Sequence, residues 1–270
     1  MRITFIGGGN MAGAIIGGLL AKGFGADALH VVEIAADARA RLARQYGVAT
    51  YERIDAAAVA SDCVVLAVKP QDMREVAAAL RPFMRQQLVI SIAAGIRGTD
   101  LSRWLGGYAR LVRAMPNTPA LVGAGCTGLY AAPGVTPEDA TRAEAILGAV
   151  GSTLRVEREE QLDAITAVSG SGPAYVFYFI EALQQGALDL GLAPGTARRL
   201  ALDTFAGAVK LAAGSAVDPA ILRARVTSKG GTTAAALASM DADGIGKAIV
   251  RAVKAAERRS RELGDELGKD

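Results

Sequence analysis

The chain has 270 residues, 51% of them apolar, with 30 basic against 27 acidic side chains and a formal net charge of +3. That length holds one large domain or two smaller ones with a substantial core. The near balance of interspersed charges excludes a nucleic-acid stripe, which needs Lys and Arg clustered on one face. One histidine and two distant cysteines, Cys63 and Cys126, exclude His-cluster metal sites and a disulfide framework, so no metal is expected and a reducing, cytoplasmic setting fits.

Residues 2–6, RITFI, read as a short buried strand, and helical spacing follows over 10–22. The opening MRITFIGGGNMAGAIIGGLLAKG has the basic start and apolar content of a signal peptide, but a glycine triplet and Asn10 interrupt it. No other stretch reaches the about 20 uninterrupted apolar residues of a membrane span, so no membrane partner is expected. Residues 29–33 (LHVVE) predict a second strand that His30 helps to start, and 36–46 a helix. Then come a β-branched strand at 62–68 (DCVVLAV), a helix at 71–81 and a strand at 88–92 (LVISI). Strands at 109–114 and 126–130, a helix at 137–148 and a strand at 152–156 complete the series. Strands alternating with helices predict an α/β fold with a parallel, doubly wound sheet.

Past residue 157 the alternation stops, and helical runs occupy 160–168, 174–190, 194–213, 218–226, 233–241 and 245–264. Pro194 suits the first turn of its helix behind the stop at Gly191. The expected organisation is a dinucleotide-binding domain over 1–157 and an all-helical domain over 158–270, packed together without a low-complexity linker. The basic run Arg251–Arg261 carries Glu257 within it and reads as a solvated helix face.

The segment FIGGGNMAGA (5–14) leaves a strand and enters a helix, and Gly7, Gly9 and Ala12 match G-x-G-x-x-G/A. Gly7 permits the tight turn, Gly9 lets a pyrophosphate approach the backbone, and Ala12 lets helix and strand pack closely. The helix start, with Asn10 and Met11, offers free N–H groups and a positive dipole end to the anion. Glu33 ends the second strand, where an acidic residue holds ribose hydroxyls. The expected cofactor is therefore NADH or NADPH, in a Rossmann-like domain. Ligands cross the carboxyl ends of such strands, which makes Ala67, Val68, Lys69 and Pro70 of AVKPQ, and Ala93, Ala94 and Gly95 of SIAAG, candidate cofactor contacts. Pro70 keeps Lys69 out of helical geometry, so the chain turns there. Asn117, stiffened between Pro116 and Pro119, is a further candidate at this edge, with a hydrogen-bonding tie to the sheet as the alternative role.

FIGGGNMAGA, AVKPQ, VISIAAG, RAMPNTPALVGAG, SGSGPAYVF and SKGGTT occur in this order, and together they resemble the pyrroline-5-carboxylate reductase family along the whole chain. The resemblance implies reduction of 1-pyrroline-5-carboxylate to L-proline by NADH or NADPH, the last step of proline biosynthesis. It implies a helical C-terminal domain that forms a homodimer, with a ring of dimers as a further option. It places the substrate carboxylate near Gly230, Gly231 and Thr232, the Thr233 hydroxyl at the ring nitrogen as the catalytic contact, and Ser169 and Ser171 beside the substrate. Departures from the family pattern are Lys229 where relatives carry proline, Ile54 where they carry asparagine, and Glu33 where many carry a small polar residue.

The chemistry needs no strong general acid, because an imine is basic enough to arrive protonated and the cofactor carries the hydride. Two competing readings are a β-hydroxyacid dehydrogenase-like oxidoreductase and a non-catalytic dinucleotide-binding protein. The first needs a lysine on the helix after the glycine-rich loop, and PAYVFYFIEALQQ (173–185) has none. The second has no use for SKGGTT beside SGSGPAY.

Overall fold

A computed structural model describes residues 1–269, which form an eight-stranded sheet and eleven α-helices among them. The first half alternates β1 (Ile3–Ile6), α1 (Asn10–Ala21), β2 (Leu29–Val32), α2 (Ala36–Tyr46), β3 (Ala49–Tyr51), β4 (Cys63–Leu66), α3 (Met73–Leu80), β5 (Leu88–Ser91) and α4 (Gly98–Trp104). It closes with β6 (Leu111–Met115), β7 (Gly125–Ala131), α5 (Pro137–Leu147) and β8 (Gly151–Val156). The rest is helical: α6 (Gln161–Ile165), a π-helical turn at Thr166–Gly170, α7 (Gly172–Asp189), α8 (Pro194–Ala213), α9 (Pro219–Arg225), α10 (Thr232–Ala242) and α11 (Ile245–Leu267).

The strand order is β3-β2-β1-β4-β5-β6-β7-β8. Strands β1 to β6 are mutually parallel, β6 pairs β7 antiparallel, and β7 pairs β8 in parallel. The antiparallel pair departs from the all-parallel expectation. A parallel pair needs a crossover of a dozen or more residues, and the connection 116–124 is too short to make one. Strands β1, β2, β4 and β5 are buried along their whole length, as continuous apolar strands covered on both faces must be. Ile3 and Phe5 pack with Ile15, Ile16 and Leu19 of α1 on one face, while Ile6 packs with Leu66, Met73 and Leu80 on the other. Each such fully buried side chain contributes roughly 1.5–3 kcal/mol. Thr4, the one polar residue of β1, is satisfied by donating to the Ala58 carbonyl at 2.8 Å.

Three elements depart from the sequence pattern. β3 is a three-residue edge strand, too short to show a period. α4 is a seven-residue helix that buries Leu101 and Trp104. The strand expected over 62–68 pairs in register only to Leu66; the Ala67 amide makes the last bond, to the Ile6 carbonyl at 2.8 Å, and the chain leaves the sheet after it.

Compactness divides the chain into two units, Met1–Ser171 together with the residues from Ala256 onward, and Gly172–Ala255. The expected division at 157/158 followed the end of the strand–helix alternation. By contacts, α6 and the π turn belong with the sheet, and so does the end of α11. The reason is local. Ser260 donates to Asp163 at 2.6 Å, Arg97 pairs with Asp265 at 2.5 Å, and Leu263 and Leu267 lie against Gly95. In the second unit only Ala197 and Ala201 are buried, and large apolar side chains stay exposed: Phe177 at 64%, Tyr178 at 71%, Val209 at 63%.

Candidate active site

The chain reverses direction across the sheet between β1 and β4, and at such a switch point an open α/β sheet binds its ligand. The loop after β1 is built for this. Gly7 has φ +98°, a left-handed conformation that only glycine adopts at low cost, and a Cβ there would meet the Ala67 carbonyl oxygen at 2.8 Å. Gly9 is exposed and starts α1 with no side-chain cap, and the space where its Cβ would stand is empty. The amides of Asn10, Met11 and Ala12 thus open the helix without intrahelical partners, at its positive end. Ala12 is buried against the sheet, as close helix–strand packing requires.

Glu33 stands just past β2, and both of its carboxylate oxygens are held. Oε2 accepts the Gly8 amide and Oε1 the Ala35 amide, each at 2.9 Å. Each oxygen keeps a lone pair for a further donor. Gly8, an unspecified position in the sequence pattern, thus holds Glu33 in place, a contact the pattern does not state. A Cβ there would also strike Leu42 at 2.5 Å. Arg39 is engaged by the loop itself: it donates to the Glu33 and Ile34 carbonyls at 2.8 Å and lies 3.6 Å from Glu52. Arg41 reaches the Gly8 carbonyl at 3.3 Å. Next to them a surface cleft of about 510 Å³ is lined by Ile34, Tyr51, Glu52, Arg53 and Asp55, large enough for a purine. Only β3, which the pattern missed, brings Tyr51 and Glu52 there.

Across the switch point, Ala67 and Val68 are half-buried and Lys69 is exposed. Lys69 has the extended backbone expected before Pro70, at φ −64° and ψ 148°. After β5, Ala93 is buried in the core, Ala94 is half-buried, and Gly95 has φ +75°. The missing side chain at Gly95 is used by α11: a Cβ there would touch Leu263 at 3.2 Å and Leu267 at 3.3 Å. Room for that helix and the left-handed backbone both favour glycine there.

Asn117, just past β6, uses its whole side-chain amide on protein. Oδ1 accepts the Cys126 amide at 2.8 Å, and Nδ2 donates to the Ser169 carbonyl at 3.2 Å and to Ser169 Oγ at 3.1 Å. Ser169 lies in the π turn, and the Ser171 amide closes that turn by donating to the Thr166 carbonyl at 2.8 Å. Ser169 is thus tethered to the edge that carries the glycine loop. Four strand spacings of about 4.8 Å separate the strand of Glu33 from that of Asn117, enough for an extended dinucleotide and a small partner.

In the second unit, Gly230 has φ +72° and the Gly231 amide donates to the Ser228 carbonyl at 3.1 Å. Gly231 then starts α10 with no side-chain cap. Thr232 and Thr233 occupy the first turn, where amides are unpaired, and the Thr233 side chain does not cap the helix. Lys229 is exposed.

Among the described residues no group of His, Cys, Asp and Glu side chains has metal-binding geometry. Burial raises the Cys63 thiol well above its ordinary pKa, which keeps it inert. No helix among the described residues is long and apolar enough to cross a membrane.

A 3-2-1-4-5-6 strand order with an open glycine turn and a held carboxylate at its switch point defines a Rossmann-type dinucleotide-binding protein. Residues 2–95 match the family described as NADP oxidoreductase, coenzyme F420-dependent, and residues 159–263 match that described as pyrroline-5-carboxylate reductase dimerisation. The chain is 46% identical to the pyrroline-5-carboxylate reductase of Pseudomonas aeruginosa, with 99% of this chain and 98% of that one covered. It superimposes on the structure of a pyrroline-5-carboxylate reductase from Coxiella burnetii with a TM-score of 0.91, at 41% identity over 97% of this chain and 98% of that one. For the Plasmodium falciparum pyrroline carboxylate reductase with NADP bound the TM-score is 0.87, at 27% identity over 98% of both chains. The chain belongs to the pyrroline-5-carboxylate reductase family.

Proposed function

We propose that the protein reduces 1-pyrroline-5-carboxylate to L-proline with NADH or NADPH, as the last step of proline biosynthesis in the cytoplasm. The observation that carries this reading is the uncapped start of α1 behind Gly9, joined through Gly8 to the Glu33 carboxylate at the switch point. When bound, the dihydronicotinamide supplies the hydride. The amides of Asn10, Met11 and Ala12 hold the pyrophosphate, and Glu33 receives the ribose hydroxyls with the lone pair left on each oxygen. Ala67, Val68, Lys69 and Pro70, with Ala93, Ala94 and Gly95, line the cofactor's path along the sheet edge. In the helical unit the Gly230 and Thr232 amides receive the substrate carboxylate, with the Gly231 amide closing the turn between them on the Ser228 carbonyl; in the sheet-bearing unit Ser169 and Ser171 are the substrate contacts. The Thr233 hydroxyl meets the ring nitrogen and accompanies its change from iminium to amine. Asn117 acts through Ser169, to which its Nδ2 is committed, while Oδ1 holds the Cys126 amide and keeps one lone pair at the cofactor's edge.

The helical unit is a dimerisation unit. Its exposed Phe177, Tyr178 and Val209 have no cover within one chain, and a partner's matching surface supplies it. A ring of such dimers is the larger assembly we infer.

A lysine suited to β-hydroxyacid chemistry is missing from α7, which argues for imine reduction. Oxidation of NADH and NADPH followed at 340 nm, with pyrroline-5-carboxylate as substrate, tests the reading. Turnover with either cofactor supports it, and none with both refutes it.

A further inference from the structure

We infer that Asn117 is a positioning residue that turns the Ser169 hydroxyl into a hydrogen-bond donor for the carboxylate of the imino-acid substrate. The inference rests on the proposed activity.

The chemistry of its partners fixes the direction of each Asn117 bond. The Cys126 amide can only donate, so the Asn117 atom facing it at 2.8 Å is the carbonyl oxygen. Nδ2 therefore faces the π turn. It reaches the Ser169 carbonyl, which can only accept, at 3.2 Å. Two fixed groups thus set the orientation of the amide. The same Nδ2 lies 3.1 Å from Ser169 Oγ, which must accept. A serine hydroxyl that accepts from its neighbour still has its own proton to give. That proton has no acceptor among the described residues, and it belongs to a side chain tethered to the carboxyl edge of the sheet.

The backbone holds Ser169 in place. The Ser171 amide to Thr166 carbonyl bond at 2.8 Å closes an i to i+5 turn, and Thr166 Oγ1 donates to the Leu162 carbonyl at 2.7 Å. A Cβ on Gly170 would meet the Met115 methyl at 2.6 Å, so the turn sits directly on the end of β6. Single π turns concentrate at functional sites because they re-aim one side chain without breaking the helix. The imino-acid substrate presents one group that can only accept, its carboxylate, and a protonated imine, which can only donate. The Ser169 hydroxyl proton, left free by the bond its oxygen accepts from Asn117, therefore has the carboxylate as its acceptor on that substrate.

The experiment uses the full-length enzyme, with KM and kcat measured separately for pyrroline-5-carboxylate and for the cofactor. Ser169→Ala is expected to raise KM for pyrroline-5-carboxylate about 10- to 100-fold, the loss of one hydrogen bond to a charged group, with cofactor KM unchanged. Its Tm stays near the parent value, because Asn117 keeps its bonds to the Ser169 carbonyl and Cys126. Ser169→Thr retains the hydroxyl and restores KM. Asn117→Ala raises the same KM, and the double variant raises it no further, since both changes remove one interaction. Asn117→Asp keeps the acceptor for Cys126 but presents an acceptor to Ser169, draws the hydroxyl proton to itself, and raises the same KM. Unchanged substrate KM in Ser169→Ala overturns the inference, even where no Asn117 variant folds. So does a rise confined to cofactor KM, additive losses in the double variant, or an Asn117→Ala enzyme with lowered Tm and parental KM. Absence of turnover in the parent enzyme refutes the proposed activity instead.

Discussion

The Gly8 amide and the Glu33 carboxylate, 25 residues apart in sequence, meet in a 2.9 Å hydrogen bond that joins the glycine loop to the end of β2. The bond fixes one negative charge at the end of β2, beside the glycine loop, where we propose the adenosine ribose binds. Of the two cations nearby, Arg39 is already engaged by the Glu33 and Ile34 carbonyls and by Glu52, and Arg41 by the Gly8 carbonyl. A ribose diol suits this arrangement and a 2′-phosphate does not. NADH is therefore the expected preference. Glu33→Ser should move the ratio of kcat/KM for NADPH over NADH upward by about tenfold, on the order of 1.4 kcal/mol of charge repulsion removed. Steady-state kinetics with both cofactors check it, and an unmoved ratio would show that Glu33 does not face the ribose.

Thr233 lies in the first turn of α10 without capping it. Its hydroxyl therefore has no local structural task, and Thr233→Val should leave Tm near the parent value. If the hydroxyl meets the ring nitrogen in the transition state, kcat and kcat/KM fall together by about threefold to tenfold, the loss of one neutral hydrogen bond. A lowered Tm with normal turnover would return Thr233 to a purely structural role.

The second unit cannot stand alone in water, since Ala197 and Ala201 are its only buried residues. Folding and dimer formation should be one event, with no stable monomer. Phe177→Asp removes an apolar contact from each copy, roughly 3–6 kcal/mol per symmetric dimer, and should weaken self-association more than a hundredfold. Sedimentation and circular dichroism on one preparation decide it, and a folded, fully active monomer contradicts the prediction.

His30 supplies the pH dependence near neutrality. It is buried on β2, its Nδ1 has no hydrogen-bond partner, and the Tyr51 ring lies 5.4 Å away. Desolvation first, and the charge of Arg2 second, lower its pKa below the ordinary 6.5, while a bond to the backbone of Ala58 pulls the other way. Below pH 6.5 the unfolded chain binds a proton that the folded chain refuses, so stability is lost as pH falls from there toward the folded pKa. It is the only histidine, so His30→Phe should flatten the fall in Tm between pH 7 and about 5.5, above the range where carboxylates titrate. A variant with the parental slope would place the titrating group elsewhere.

Much of this molecule is local and was legible without coordinates. The strands β1, β4 and β5 announce themselves as short apolar runs, and the positive φ of Gly7 follows from a turn between a strand and a helix. Glu33 follows from its distance along the chain. Pro70 dictates the backbone before it. The six helical runs of the second half carry their period in the sequence, although α6 continues into a π turn that periodicity does not reveal.

What only the tertiary structure decided are the pairings between distant residues. Nothing in MPNTP states that Asn117 reaches Ser169, 52 positions away. Nothing in SIAAG states that α11 lies against Gly95. The antiparallel turn from β6 to β7 is a property of a connection too short to cross over, and β3 exists because β2 offers an edge to three residues with no period of their own. Periodicity and turn chemistry record what a residue does to its own backbone. They carry no information about which side chain, folded back from far along the chain, satisfies a given donor or fills a given space.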